Sequence, residues 1–301
     1  MKRLLIIALA ATLVVALVAA TGCKKGKSAA EMEPVVVALG PTFDPAKAPK
    51  QFEPLAAYLE EEVGRPFKFQ PTKSREEFES LVKDGKAEFV FATPLDFFEI
   101  SEYSIVLVKA SYPGTGSMVQ GCIIVEEGGA VKIREVSELK GTSIMVISKG
   151  SLDGYLSQKM FFDRSDLDLD LDFDLRESPD GTAEGVVAAV AAGEVEYGCV
   201  ALGLYPERKP YKGTEVLTIC DKVPVEVFAF VEMGGDKMLG GKVRDVLRGI
   251  PKDDPVLAPL ALEGFSRTTA AEYDVVTQFL AKDKIDKAQR MSETSSEPST
   301  E

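Results

Sequence analysis

The chain has 301 residues, 45% of them hydrophobic and 28% charged, a globular composition with length for about two domains. Its formal net charge of -13 makes a surface that repels phosphate backbones and anionic lipid, which argues against nucleic-acid binding. There is no histidine, which excludes Ser-His-Asp and Cys-His catalysis and any histidine-ligated metal site.

Lys2 and Arg3 precede an apolar run, Leu4 to Ala20, and then Thr21, Gly22 and Cys23. A positive start, an apolar stretch and small residues before a cut are the parts of a secretory signal. The run is 17 residues long, at the bottom of the range for a membrane-spanning helix, so an uncleaved anchor is the alternative. Ala20-Thr21-Gly22-Cys23 resembles a bacterial lipobox, although leucine is commoner where Ala20 stands. Residues 1–22 are then a lipoprotein signal peptide and Cys23 the acylated (palmitate-bearing) first residue of the mature chain. Residues 23–33 form a polar, lysine-rich tether that holds an exported domain to a membrane of the bacterial cell envelope. Cys122, Cys199 and Cys220 remain. An exported protein could bridge Cys199 and Cys220, while their apolar surroundings favour burial as small hydrophobes.

From Val35 onward, strands and helices alternate. Val35–Leu39 is a β-branched run ending at Gly40-Pro41, and Phe52, Leu55, Ala56, Leu59 and Val63 follow with helical spacing. A strand at Phe67–Gln70 leads to Pro71, and Ser74 with Glu77 is a capping box opening a helix that stops at Gly85, before a strand at Glu88–Ala92. The order then recurs. A strand at Ser143–Ile147, a helix from Ser151 to Phe162, a strand near Asp172–Glu177, a helix from Thr182 to Gly193 and a strand at Glu196–Ala201 follow one another. Gly40 and Ser148, Pro71 and Pro179, Ser74 and Thr182, Gly85 and Gly193, and Glu88 and Glu196 are each 108 residues apart. Five matches in one register predict two lobes of like topology.

Alternating strands and helices predict α/β lobes, each a mainly parallel sheet flanked by helices. Lobe 1 is expected over 34–127, lobe 2 over 128–221, and a return to lobe 1 over 222–282, with hinges near Val125–Gly128 and Asp221–Pro224. Residues 283–301 are expected to be a disordered tail. Ligands bind such sheets outside the carboxyl ends of the strands. The facing loops would be Pro41–Asp44, Thr93–Phe97, Ser148–Asp153 and Pro179–Thr182, with Pro71–Arg75 as a further wall. Asp166, Asp168, Asp170, Asp172 and Asp174 alternate with Leu and Phe. Calcium sites need a turn that converges several oxygens, so this stretch reads instead as a half-buried strand with its acids in water, and no metal is expected.

The set Gly40-Pro41, Thr93-Pro94-Leu95-Asp96-Phe97, Glu138-Leu139-Lys140-Gly141, Ser151-Leu152-Asp153-Gly154-Tyr155-Leu156 and Gly181-Thr182-Ala183-Glu184-Gly185 resembles the solute-binding proteins of phosphate, phosphite and phosphonate ABC importers. The resemblance spans residues 34–280. It implies a type II periplasmic binding fold that closes by a hinge on a small solute, with no catalysis and no cofactor, and an ABC permease as partner. Carried over position by position, it places Thr42, Phe43, Arg75, Thr93, Phe97, Ser148, Lys149, Ser151, Asp153 and Thr182 around the ligand.

Several of these positions depart from the family pattern. Where the family places Ser-Thr-Ser-Gly to hold anionic oxygens, this chain has Ser151-Leu152-Asp153-Gly154. A carboxylate beside an anion at an effective dielectric near 20 costs about 4 kcal/mol. The family's histidine is Ala183 here, and two of its tyrosines stand as Arg75 and Phe97. Either Arg75 and Lys149 rebuild an anion site, or the cleft takes a neutral or cationic solute through Asp153, Phe43 and Phe97. The rivals to transport are a ligand-sensing subunit for a receptor or kinase, an enzyme using Asp153 or Glu184 as base, and a scaffold without ligand.

Overall fold

A computed structural model describes residues 32–129, 134–233 and 235–296. The signal, Cys23 and most of the tether lie outside them. Among the described residues, no helix is long and apolar enough to cross a membrane.

Lobe 1 is built on β1 (Val35–Leu39), with β2 (Phe67–Pro71) and β3 (Phe89–Ala92) parallel on either side. β10 (Val227–Val231) extends this core antiparallel to β3, then β4 (Ser104–Ser111) and the short β11 (Gly264–Ser266) complete six strands. α1 (Ala48–Val63) buries Phe52, Leu55, Leu59 and Val63 on one face, as their spacing predicts. α6 (Lys237–Gly249) covers the same side, and α2 (Arg75–Lys83) with Phe97 and Ile100 covers the other.

Lobe 2 repeats the plan. β6 (Ser143–Val146) lies parallel between β7 (Asp174–Glu177) and β8 (Tyr197–Ala201). β5 (Met118–Glu126) and β9 (Thr214–Pro224) extend the sheet antiparallel. The helix beginning at Leu152 opens with a π turn (Leu152–Leu156) and continues as α4 (Ser157–Asp163) on one face. α5 (Ala183–Ala191) covers the other.

The 108-residue repeat is visible in atoms. Ser74 and Thr182 both cap helices, and Gly85 and Gly193 both take a left-handed φ, +65° and +70°, where the chain turns into a strand. Glu88 accepts the Val36 N–H at 2.8 Å, and Glu196 accepts the Ser143 N–H at 2.9 Å. A carboxylate thus ties the start of the third strand to the first in each lobe.

Three expectations are corrected. The first crossing between lobes lies at 112–117, not at 125–128, because β5 already hydrogen-bonds to β8 and β9 from Met118 onward. Gly128, with φ +82°, only ends β5. The second crossing is Val225-Glu226, just beyond the expected Asp221–Pro224, so residues 118–127 and 222–224 belong to lobe 2. Residues 283–296 are the end of the long helix α7 (Ala270–Ser296) and not a disordered tail; 297–301 lie outside the described residues.

The acidic run is corrected as well. Only Asp174 lies in β7, and the preceding residues fold as turns that point Asp168, Asp170 and Asp172 inward. Asp170 N–H donates to Asp168 and Asp168 N–H to Asp172, both at 2.8 Å. The cation they enclose is the Lys159 ammonium, 2.7 Å from Asp170, 3.5 Å from Asp168 and 2.8 Å from Asp283. Asp166 supplies the left-handed residue (φ 55°) where glycine is missing. A buried lysine needs such partners, because burying an unpaired charge costs several kcal/mol.

Cys122, Cys199 and Cys220 are free and buried, so the bridge between Cys199 and Cys220 does not form in this structure. Burial pushes the Cys122 thiol up to about 12, which leaves it unreactive at neutral pH.

Candidate functional site

Between the lobes lies a cleft of 790 Å³, walled by Thr42, Arg75 and Asp96 from lobe 1, by Lys149 and Tyr155 from lobe 2, and by Lys287 of α7. Its lobe 1 side is the turn Gly40–Phe43 facing α3 (Pro94–Phe97). Thr93 caps α3, accepting the Asp96 N–H at 3.3 Å. The Asp96 carboxylate folds back and accepts the hydroxyls of Thr42 (2.7 Å) and Thr93 (3.1 Å) on Oδ2. Gly40 makes room for it: a Cβ at that position would meet Oδ2 at 2.5 Å. Asp96 is buried, and the loss of water pushes its pKa up despite those hydroxyls.

Across the cleft, Ser151 caps the π turn by accepting the Gly154 N–H at 2.9 Å and donates to Asp153 Oδ1 at 3.2 Å. Burial raises the Asp153 pKa as well. The π turn is fixed to the sheet from below. Ser157 accepts the Gly121 N–H and donates to the Asp221 carbonyl, at 2.9 and 2.5 Å. The Gln158 amide reaches the carbonyls of Asp153, Cys122 and Val200.

The third acid is Glu226, in the second crossing. It accepts Tyr112 OH from the first crossing at 2.8 Å, so the two crossings are tied to each other. Burial raises its pKa, and the charges of Asp153 and Asp96 raise it further. Glu226 in the hinge therefore feels one acid from each lobe, while Arg75 draws the Asp96 pKa partly back down.

The structure places the predicted residues in three groups. Thr42, Arg75 and Lys149 line the cleft and Thr42 approaches Gly150 across it, while Thr93 stands behind Asp96 and Ser151 and Asp153 bond to each other beside Gly150 without lining it. Arg75 is exposed and faces Glu99 at 3.6 Å; Lys149 Nζ pairs with Asp170 at 3.0 Å, and its N–H donates to Glu177. Ser148 supplies a carbonyl to the Ser151 N–H, and Thr182 caps α5 through the Gly185 N–H at 3.0 Å. Of the two uses open to Phe43 and Phe97, packing under the loops and stacking on a solute, the structure shows the packing. Phe43 packs on Phe52 and Phe91 and Phe97 on Tyr273, because both rings follow turns that direct them into the lobe 1 core. Sequence reasoning missed Asp96 and Glu226 as site residues. Glu226 did carry a signal, a lone acid inside the apolar run Val223–Val231.

Two α/β lobes, joined by two short crossings around a polar cleft, define a solute-binding protein of the two-lobed class. Residues 37–273 match the periplasmic substrate-binding protein family of phosphonate ABC transporters, and the chain belongs to that family. Its members are substrate-binding components of transporters, not enzymes, and the family implies a small-molecule ligand, a permease partner and export to the periplasm. A Xanthomonas citri protein bound to chloride superposes with TM-score 0.67 at 18% identity, covering 84% of this chain and 99% of that one. PhnD1 from Prochlorococcus marinus, in complex with methylphosphonate, gives 0.59 at 12% identity, covering 83% and 98%. A binding component of a phosphonate ABC transporter from Pseudomonas aeruginosa gives 0.54 at 13%, covering 88% and 100%. At these identities the likeness shows the fold.

Proposed function

We infer that this chain is a lipid-anchored solute-binding protein whose cleft has turned from oxyanions toward solutes bearing a cationic group. The carrying observation is the pair of carboxylates, Asp96 and Asp153, set at the first turns of two facing helical segments. A free helix start attracts anions through its unpaired N–H groups and dipole. Here each start carries its own acid, and the caps Thr93 and Ser151 already accept backbone N–H groups. Arg75 and Lys149, the cations that could have rebuilt an anion site, face Glu99 and Asp170 instead. An ammonium group entering the cleft would be drawn to Asp96 and Asp153 and would ease the repulsion that both exert on Glu226; among the described residues no lysine or arginine lies within ion-pair distance of the three.

Export and anchoring follow from the signal-like start and Cys23, with residues 24–33 as tether. Closure of the lobes would present the loaded form to a permease.

A thermal-shift screen of the chain from residue 24 onward tests the ligand class. Quaternary amines and amino acids are set against phosphate, phosphite and methylphosphonate. A ligand at 100 times its dissociation constant stabilises the fold by about 2.7 kcal/mol. Stabilisation by the cationic solutes alone is the expected result. Stabilisation by methylphosphonate or phosphate would overturn the reading and assign Arg75 and Lys149 to an anion.

A further inference from the structure

The two strand crossings are not the only links between the lobes. α7 starts on lobe 1, where Tyr273 packs edge-on against Phe97 and donates to the Val225 carbonyl of the second crossing at 2.9 Å. Glu272 pairs there with Lys109, itself almost fully buried. The middle of the helix passes over the boundary. Val276, Phe279 and Leu280 join Leu95 of lobe 1 and Leu156 and Met160 of lobe 2 in one apolar cluster. The following turns lie on lobe 2, where Lys282 pairs with Asp163 at 2.7 Å, Asp283 with Lys159 at 2.8 Å, Lys287 with Asp170, and Arg290 with Asp172 at 3.4 Å.

We propose that α7 is a strap across the cleft and that the acidic turn 166–172 is its receptor, so that opening the lobes requires the turns around Lys282–Arg290 to leave that receptor. This gives the acidic run a role that solute binding leaves unexplained. Asp170 is the node. Its carboxylate is only 8% exposed and takes Lys287 from the strap, Lys159 from α4 and Lys149 from the loop that walls the cleft. A movement of the Lys149 loop on ligand entry is therefore felt by the carboxylate that holds the strap. Because these pairs are partly desolvated, salt screens them less than surface pairs, and several act together. The apolar cluster beneath adds a non-ionic component that salt does not weaken. Two packed arrangements, strapped and released, make the cleft a two-state element with a built-in bias toward closure.

The proposal rests on the binding-protein reading, since a strap matters only if the lobes open. Spin labels at Lys50→Cys in lobe 1 and Glu194→Cys in lobe 2, both exposed positions, report the distance between lobes by pulsed electron resonance. In the chain from residue 24 onward the native thiols, Cys122, Cys199 and Cys220, are buried and stay unlabelled. The unmodified strap should give a single short distance. The double variant Lys282→Ala, Arg290→Ala, which changes only exposed residues of α7 that do not line the cleft, should add a longer distance in a comparable share of molecules. Raising the salt concentration on the unmodified strap should produce the same longer distance in a smaller share, and needs no substitution in the helix. Identical distributions for variant and parent, with solutes from the thermal screen still binding, would overturn the strap and leave the binding reading standing. Identical distributions together with no solute binding would remove both. Opening in the variant supports the strap whichever solute the cleft accepts.

Discussion

At the scale of single residues, the site is a problem in carboxylate chemistry. Asp96, Asp153 and Glu226 each bind their proton more tightly in the folded chain than in the unfolded one, chiefly through burial. Between the ordinary carboxylate pKa, about 4, and the raised values, the folded chain holds more protons, so stability falls as pH rises through that window. The ligand-free chain should accordingly melt at lower temperature at pH 8 than at pH 5 as far as these groups decide. Asp96→Asn, which keeps a carbonyl oxygen for the Thr42 and Thr93 hydroxyls but removes the charge, should melt higher at pH 8 and show a shallower slope. Scanning calorimetry across pH checks this, and an unchanged slope would mean that Asp96 stays ionised at little cost. Such residues were only partly legible beforehand. Asp153 announced itself by replacing a hydroxyl in a recognisable helix start, whereas Asp96 sits in a motif where an acid at N3 is ordinary, and only the turn at Gly40 brings the two hydroxyls to it.

At the scale of elements, most strands and helices follow directly from periodicity. Phe52, Leu55, Leu59 and Val63 are buried as predicted, and the repeat pairs Ser74 and Thr182, Gly85 and Gly193, and Glu88 and Glu196 fall at equivalent places in the two lobes, whereas Pro71 lies in β2 and Pro179 beyond the end of β7. What periodicity does not reveal is geometry imposed by another element. The helix at Ser151–Phe162 was predicted by its length and pattern, yet its first turn is a π turn because Ser157 and Gln158 are engaged by the backbone of β5 and its neighbours. That contact depends on Gly121, where a Cβ would collide with the Gln158 amide and the Asp153 carbonyl. Gly121→Ala should therefore destabilise the chain by about 1–3 kcal/mol through overpacking. It should also displace Asp153, and urea unfolding beside a binding assay separates the two effects. A fully stable variant would show that the π turn is free to lift from the sheet. The acidic run failed for a similar reason. Alternation of Asp with Leu and Phe fits a strand, and only the long-range partners Lys159 and Lys287 make the inward turn more favourable.

At the scale of the whole molecule, the two-lobed plan was readable from the repeat, while the points where the chain crosses between lobes were not. The hinge expected near Val125–Gly128 is the end of a strand, and the crossings are marked by a tight turn at 112–117 and by Glu226. The acids of the strap receptor behave oppositely to those of the cleft. Burial opposes ionisation of Asp170, but Lys159 and Lys287 overcome it and hold its carboxyl well below the usual range; burial likewise opposes ionisation of Asp172, but the Asp168 N–H, Lys140 and Arg290 outweigh it and lower its pKa. Their contribution is present above the ordinary carboxylate pKa and is lost as pH falls through the depressed values. As pH falls below about 4 the lobes should therefore begin to separate, and increasingly so towards the depressed values, read as a longer label distance while far-ultraviolet dichroism is retained. A constant distance down to the loss of secondary structure would show that the apolar cluster alone holds the lobes.

The chain leads from Pro34 directly into β1, and β1 is flanked on both sides by other strands of lobe 1. Any pull arriving through the residues before it is thus delivered to one jaw only, at its stiffest strand. Under the anchoring proposed for Cys23, the other jaw would be the one that swings, carrying the acidic receptor and the Lys149 loop with it. The orientation of the mouth toward the membrane would then be set by the stationary half, and a permease could meet a fixed surface while the moving half reports whether the cleft is filled.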